Sequence, residues 1–161
     1  MPGAAEQRTD RLARVTLEDS LVRNVSADAA HEREVAIYDL LSDNRFAIEA
    51  GPGPYHLHLA IVENRLVFEL TGPDAGERVT FMLSMGPFRR ILRDYFVVCE
   101  SYYQAIRAAP PSRIEAIDMG RRSLHDEGSR VLQERLSGKA SMDFRTARRL
   151  FTLICALHRR P

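Results

Sequence analysis

Residues 55–83 alternate apolar and polar side chains along three successive runs, and this alternation constrains the fold more than any other feature. Tyr55, Leu57, Leu59 and Ile61 alternate with His56, His58, Ala60 and Val62. Leu66, Phe68 and Leu70 then alternate with Val67, Glu69 and Thr71. Between them stand only Glu63 and Asn64, a two-residue hairpin loop in which Asn tolerates a positive φ. If Val62 faces Arg65, then Ile61 meets Leu66, Leu59 meets Phe68 and Leu57 meets Leu70. All three pairs fall on one face. A slip of one residue would turn every side chain to the other face, so the period and the turn agree on one register. With residues 72–77 as the next loop, Leu70 faces Val79, Phe68 faces Phe81 and Leu66 faces Leu83. Three antiparallel strands therefore share an apolar face.

The flanking sequence supplies the rest of an α+β fold. Residues 1–9 are small, polar and without period, and are expected to be disordered. Ala13, Val15 and Leu17 suggest a short first strand. Ser26 precedes a helix over about 28–41, with Ile37, Leu40 and Leu41 on one face and Val35 and Tyr38 at its margin. Phe46 and Ile48 suggest another short strand before the turn Gly51-Pro52-Gly53-Pro54. Pro87 opens a helix to about Ala108, in which apolar residues from Phe88 to Ile106 recur at spacings of three and four. That helix is the natural cover for the sheet. Pro110 and Pro111 end it. Ser112 and Glu115 form a capping box for a helix over 112–137. Gly120 and Gly128 in that helix either admit a close neighbour or mark a break near Gly128. Gly138 is a C-terminal stop, and Asp143 caps a last helix. The expected architecture is an antiparallel meander of three to five strands packed against three to four helices. It forms a single domain over residues 10–161, with the sheet mostly in 10–85 and the helices in 87–160.

Composition narrows the class. The 161 residues are 45% hydrophobic and 28% charged, as in globular proteins. No apolar run approaches the roughly 18 residues of a membrane span, and the N-terminus lacks the apolar core of a secretory signal. Two cysteines, Cys99 and Cys155, cannot make a disulfide framework, and both fall among apolar helical neighbours. A reducing cytoplasm is the expected setting. Residues 1–80 carry a net charge of −6 and residues 81–161 a net charge of +7.

The chain has no phosphate loop, dinucleotide fingerprint, nucleophile elbow or His-Glu-x-x-His. No catalytic residue and no cofactor are expected. His56 and His58 share one sheet face with Glu69 opposite His58, which makes them weak metal candidates. In the segment 118–129, Asp118, Arg121, Arg122, His125 and Glu127 could form an anion-binding or acid–base group. Arg89, Arg90 and Arg93, with Arg145, Arg148 and Arg149, could hold an acidic partner or the phosphates of a nucleic acid. Tyr102 and Tyr103 could stack on bases, although their spacing places them in the core first. A break at Gly128 would give the second half the outline of a helix-turn-helix.

The stretch from Pro87 to Lys139 strongly resembles uncharacterised protein family 0262 of alphaproteobacteria. So do VAIYDLL from Val35, GPYHLHLAIVENRLVFEL from Gly53 and DFRTARRLFTLICALH from Asp143. The most specific part is Ile117-Asp118-Met119-Gly120-Arg121-Arg122 with Leu124-His125 and Glu127-Gly128-Ser129. Ser123 stands where a Gly is usual. The resemblance implies a cytoplasmic bacterial protein of similar length and no activity. Three functions are therefore weighed. The first is a non-enzymatic interaction or regulatory protein with an arginine-rich helical face, a homodimer being one arrangement. The second is a nucleic-acid-binding protein. The third is an enzyme centred on Arg121, Arg122 and His125.

Overall fold

In a computed structural model, residues 8–73 and 78–159 are described. The order of the elements is β1 (Leu12–Leu17), α1 (Ala27–Ser42), β2 (Phe46–Ile48), β3 (Tyr55–Val62), β4 (Arg65–Thr71), β5 (Arg78–Ser84), α2 (Arg89–Ala108), α3 (Pro111–Leu136), β6 (Ala140–Met142) and α4 (Phe144–His158). Of the N-terminal residues expected to be disordered, 1–7 lie outside the described residues. Arg8 is placed, and its guanidinium donates to the Asn44 carbonyl at 3.0 Å.

The hairpin register is the one dictated by the alternation. Ile61 faces Leu66, Leu59 faces Phe68 and Leu57 faces Leu70. On the other side of β4, Leu66 faces Leu83, Phe68 faces Phe81 and Leu70 faces Val79. Phe68 and Phe81 stack with ring centroids 5.0 Å apart. Glu63 and Asn64 have φ of 49° and 62°. Both lie in the left-handed region that a two-residue hairpin of this twist requires. Replacing Asn64 with Val should lower stability by about 1–2 kcal/mol, because a β-branched residue is strained there, and Asn64→Gly should not. Urea titrations of the two variants measure the difference.

The first strand departs from the expected meander. β1 pairs with β3 in parallel, so the four-stranded sheet runs β1-β3-β4-β5. The register shifts between Leu12 and Arg14, and this irregularity breaks the alternation. Leu12 and Val15 face inward, and Ala13 is exposed. The buried Asn44 explains how β1 is held. It accepts from the Leu12 N–H at 2.7 Å and donates to the carbonyls of Leu12 at 3.0 Å and Leu40 at 2.9 Å. One amide thus satisfies the strand and the end of α1 together. β2 pairs with β6 in a separate two-stranded sheet; β6 was not legible in the sequence.

The helices also depart from expectation in which one is central. α4 buries nine of its fifteen residues, whereas α2 buries four of twenty. α4 packs against both α1 and α3, and α2 packs on α3. Only Phe88, Ile91 and Leu92, at the start of the segment from Pro87, are fully part of the core. Its apolar stripe continues beyond what the fold covers. Ser26 and Asp143 cap α1 and α4 through the N–H groups of Ala29 and Thr146. Ser112 does not cap α3, which begins at Pro111 with no side-chain cap. α3 is continuous through Gly128, and Phe151 of α4 fills the space a side chain would take there. Arg33 of α1 is buried without a carboxylate. Its guanidinium donates to the carbonyls of Leu21, Ala156 and Leu157, which ties α1 to the last turn of α4.

Candidate functional site

A cleft of about 560 Å³ opens between α1 and α2. Its α1 wall carries Asp28, Glu32, Val35 and Asp39. These recur at spacings of four, three and four, so they form one helical row. The α2 wall carries Tyr95, Cys99, Tyr102 and Tyr103, while Arg121 of α3 and Thr152 of α4 also line the cleft. A second hollow of about 390 Å³ shares Cys99, Tyr103 and Arg159 with the first, and adds Phe96, Glu100 and His158. Together they form a groove along the uncovered part of the α2 stripe.

Polar groups in the lining of this groove and just beneath it are held in their neutral forms. The Thr152 hydroxyl lies 3.0 Å from the Arg148 carbonyl, to which it donates, and 2.8 Å from His125 Nε2. His125 therefore carries its proton on Nε2 and donates to Thr152. Its Nδ1 is buried with no partner. The ring packs between Tyr95 and Phe151, with centroid distances of 5.6 and 5.2 Å. Burial, and then the nearby charge of Arg148, push the His125 pKa down to about 4. Burial likewise raises the pKa values of Tyr95, Cys99 and Cys155. A general acid or base works best with a pKa near the working pH. Here burial favours the uncharged form of each group. Cys99 and Cys155 are buried free thiols.

The charged groups of the groove fall into two sets. Arg121 donates to Asp118 at 3.0 Å and lies 5.2 Å from the Tyr102 ring centroid. Arg159 pairs with Glu32 at 3.2 Å and sits over Phe96. Both cations are committed. Asp28, Asp39 and Glu100 have no ion-pair partner among the described residues. The charge left over on the walls is negative.

The arginine candidates are mostly paired elsewhere. Arg90 bonds to Asp94 and Glu127, and Arg93 to Asp94 at 3.3 Å. Arg122 shares Asp118 with Arg121, at 2.9 Å. The Arg121 hydrogen bond, more than any other influence, holds the Asp118 carboxyl below its usual range. Arg148 pairs with Asp126 at 3.2 Å, Arg145 with Asp43 at 3.4 Å, and Arg149 donates to the Asp43 carbonyl. Arg89 is exposed with no ion pair among the described residues. The segment 118–129 thus divides. Asp118, Arg121 and Arg122 form one cluster, His125 turns into the core, and Glu127 reaches α2. Ser129 is fully buried and donates to the His125 carbonyl.

On the outer face of the sheet, Thr16 Oγ1 lies 2.7 Å from both His56 Nε2 and His58 Nδ1. One hydroxyl thus bridges two imidazoles. Glu69 pairs with Arg78 at 3.3 Å and does not complete a ligand set. Among the described residues no three His, Cys, Asp or Glu side chains are arranged to hold a metal ion. No helix of the described residues is long and apolar enough to cross a membrane.

Of the groove residues, sequence reasoning singles out Arg121, puts Val35 at the margin of the α1 apolar face, and reads Tyr102 and Tyr103 as core residues first. It missed the carboxylate row of α1, Thr152 and Arg159. The 28/32/35/39 spacing was the available signal for the row. Nothing local marks Thr152 or Arg159, because α4 brings them there.

A family model described as "Uncharacterised protein family (UPF0262)" matches residues 9–160. The chain is 56% identical over 155 residues to a UPF0262 protein of Bradyrhizobium sp. (strain ORS 278), covering 95% of this chain and 92% of the relative. It is 55% identical over 154 residues to one of Rhodopseudomonas palustris (strain TIE-1), covering 95% and 94%. A third, from Xanthobacter autotrophicus, is 57% identical over 150 residues, with 92% of each chain covered. No solved structure matches.

Proposed function

The chain belongs to uncharacterised protein family UPF0262, and from its own geometry we propose that it is a non-enzymatic interaction protein whose docking face is the groove between α1 and α2. One observation carries this reading: the apolar stripe of α2 continues past the core. Ile91 and Leu92 are buried, but Tyr103 is 53% and Ile106 50% exposed. Val35, across the groove, is 44% exposed. Contiguous apolar surface rimmed by polar groups is the usual mark of a partner site.

The neutral floor supports a binding role over a chemical one. His125 and Thr152 form a hydrogen-bonded pair, but the imidazole is buried and its second nitrogen has no orienting carboxylate. The exposed arginines favoured by the sequence are an alternative docking face. The pairing of Arg90, Arg93, Arg122, Arg145 and Arg148 with the chain's own carboxylates weighs against them, because a partner would have to compete for each of these five. A photo-crosslinking phenylalanine at position 103 tests the proposal in living cells. A discrete adduct is expected from position 103 and none from position 82, an exposed site on strand β5. Adducts from neither position, or from both alike, would remove the groove as the docking face.

A further inference from the structure

The groove also carries information about what fills it, and we infer that its occupant is a basic amphipathic helix anchored by an apolar side chain, contributed by another protein. The inference rests on the docking role just proposed and adds the chemistry of the partner.

Charge complementarity decides the sign. The two cations that reach the groove, Arg121 and Arg159, are already held by Asp118 and Glu32 and lie over Tyr102 and Phe96. Asp28 and Asp39 on one wall and Glu100 by the other are left without ion pairs among the described residues. An acidic occupant would meet three uncompensated carboxylates. A basic one would meet three acceptors for Lys or Arg. Like charges brought together across an interface are strongly disfavoured, so the sign of the partner follows from the groups left free.

Shape decides the class. The walls are two helices, and the exposed Val35 and Tyr103 line the groove with the partly buried Phe96. From Tyr95 to Ile106, α2 rises by about 17 Å at ~1.5 Å per residue, close to three helical turns. A helix laid in such a groove presents anchors at spacings of three and four. Val35, Phe96 and Tyr103 offer the apolar contacts, and Asp28 and Asp39 flank Val35 along the α1 row. This is the arrangement of interfaces that gain affinity from a central anchor and specificity from flanking charge.

The experiment is a selection of random displayed peptides of about fifteen residues on the immobilised full chain, followed by fluorescence anisotropy with the enriched sequences. The expected winners are rich in Lys or Arg and carry apolar residues at helical spacing. Asp28→Lys with Asp39→Lys should weaken them about tenfold. Tyr103→Ser should weaken them comparably through the anchor. All three positions are exposed, so the variants should fold as the wild type does, which circular dichroism verifies. Enrichment of acidic peptides would overturn the basic occupant while leaving an interaction protein standing. Basic peptides insensitive to all three substitutions would show that they bind elsewhere and would also overturn it. If nothing is enriched and position 103 yields no adduct in cells, the docking role fails as well.

Discussion

Gly128→Ala should destabilise the fold by roughly 1–3 kcal/mol, the cost of overpacking a closed site, even though Ala is favoured over Gly by about 1 kcal/mol within a helix. A Cβ at position 128 would overlap Phe151 Cζ and stand 2.5 and 2.6 Å from Cε2 and Cε1. The Phe151 ring has little room to yield. It is fully buried and is bounded by Phe88, Tyr95 and His125, with centroids at 6.3, 6.4 and 5.2 Å. The mechanism gives the prediction a second arm. In a Phe151→Leu background the added methyl should cost less, because the ring it strikes is gone. A double-mutant cycle in urea measures the coupling. Additive effects would mean that Gly128 is present for some other reason. Gly120, on the same helix, has nothing within 4 Å of the place a methyl would take, so Gly120→Ala should be neutral or stabilising.

Lowering the pH from 6.5 to 4 should remove roughly 3 kcal/mol of stability through His125 alone, at about 1.4 kcal/mol for each pH unit between the unfolded and folded pKa values. The folded pKa, about 4, lies below the ordinary value of 6.5 because the ring is buried beside Arg148. The unfolded chain therefore takes up the proton first. The contribution is fully present above pH 6.5 and is lost as the pH falls toward 4. Asp126 favours the charged ring and Arg121 opposes it, both more weakly than burial. His56 and His158 are also shifted down by burial and act in the same direction. His125→Gln can still donate to Thr152 but cannot titrate. Its stability should be lower at neutral pH and should fall less steeply between 6.5 and 4. Denaturant titrations across that range compare the two slopes, and equal slopes would refute the assignment.

The two predictions concern one segment, and they show where sequence reading succeeds and fails. The meander was legible because its information is local. Alternation and a two-residue turn specify the register of β3 and β4 without reference to anything distant. The helix caps at Ser26 and Asp143 are legible for the same reason. β1 is different. Its pairing is parallel and non-local, and the irregularity at Leu12 and Arg14 removes the period that would reveal it. The role of α2 is hidden for another reason: an amphipathic stripe shows that a face seeks cover, without showing what covers it. α4 takes the central position, and part of the α2 stripe is left to form the groove. The segment 118–129 could be singled out by its composition. Only the fold decides that Arg121 turns toward the groove while His125 turns inward to Phe151.

The burial of α4 has a consequence for biosynthesis. It leaves the ribosome after every other described element, and its apolar residues fill the centre between α1 and α3. Until residues 144–158 emerge, the sheet can acquire its register, but the surfaces awaiting α4 stay wet and adhesive. The Ala156 and Leu157 carbonyls that accept from Arg33 do not yet exist for it to bind. The strands can therefore pair while the centre is still vacant. Apolar surface exposed at that stage favours aggregation until α4 covers it.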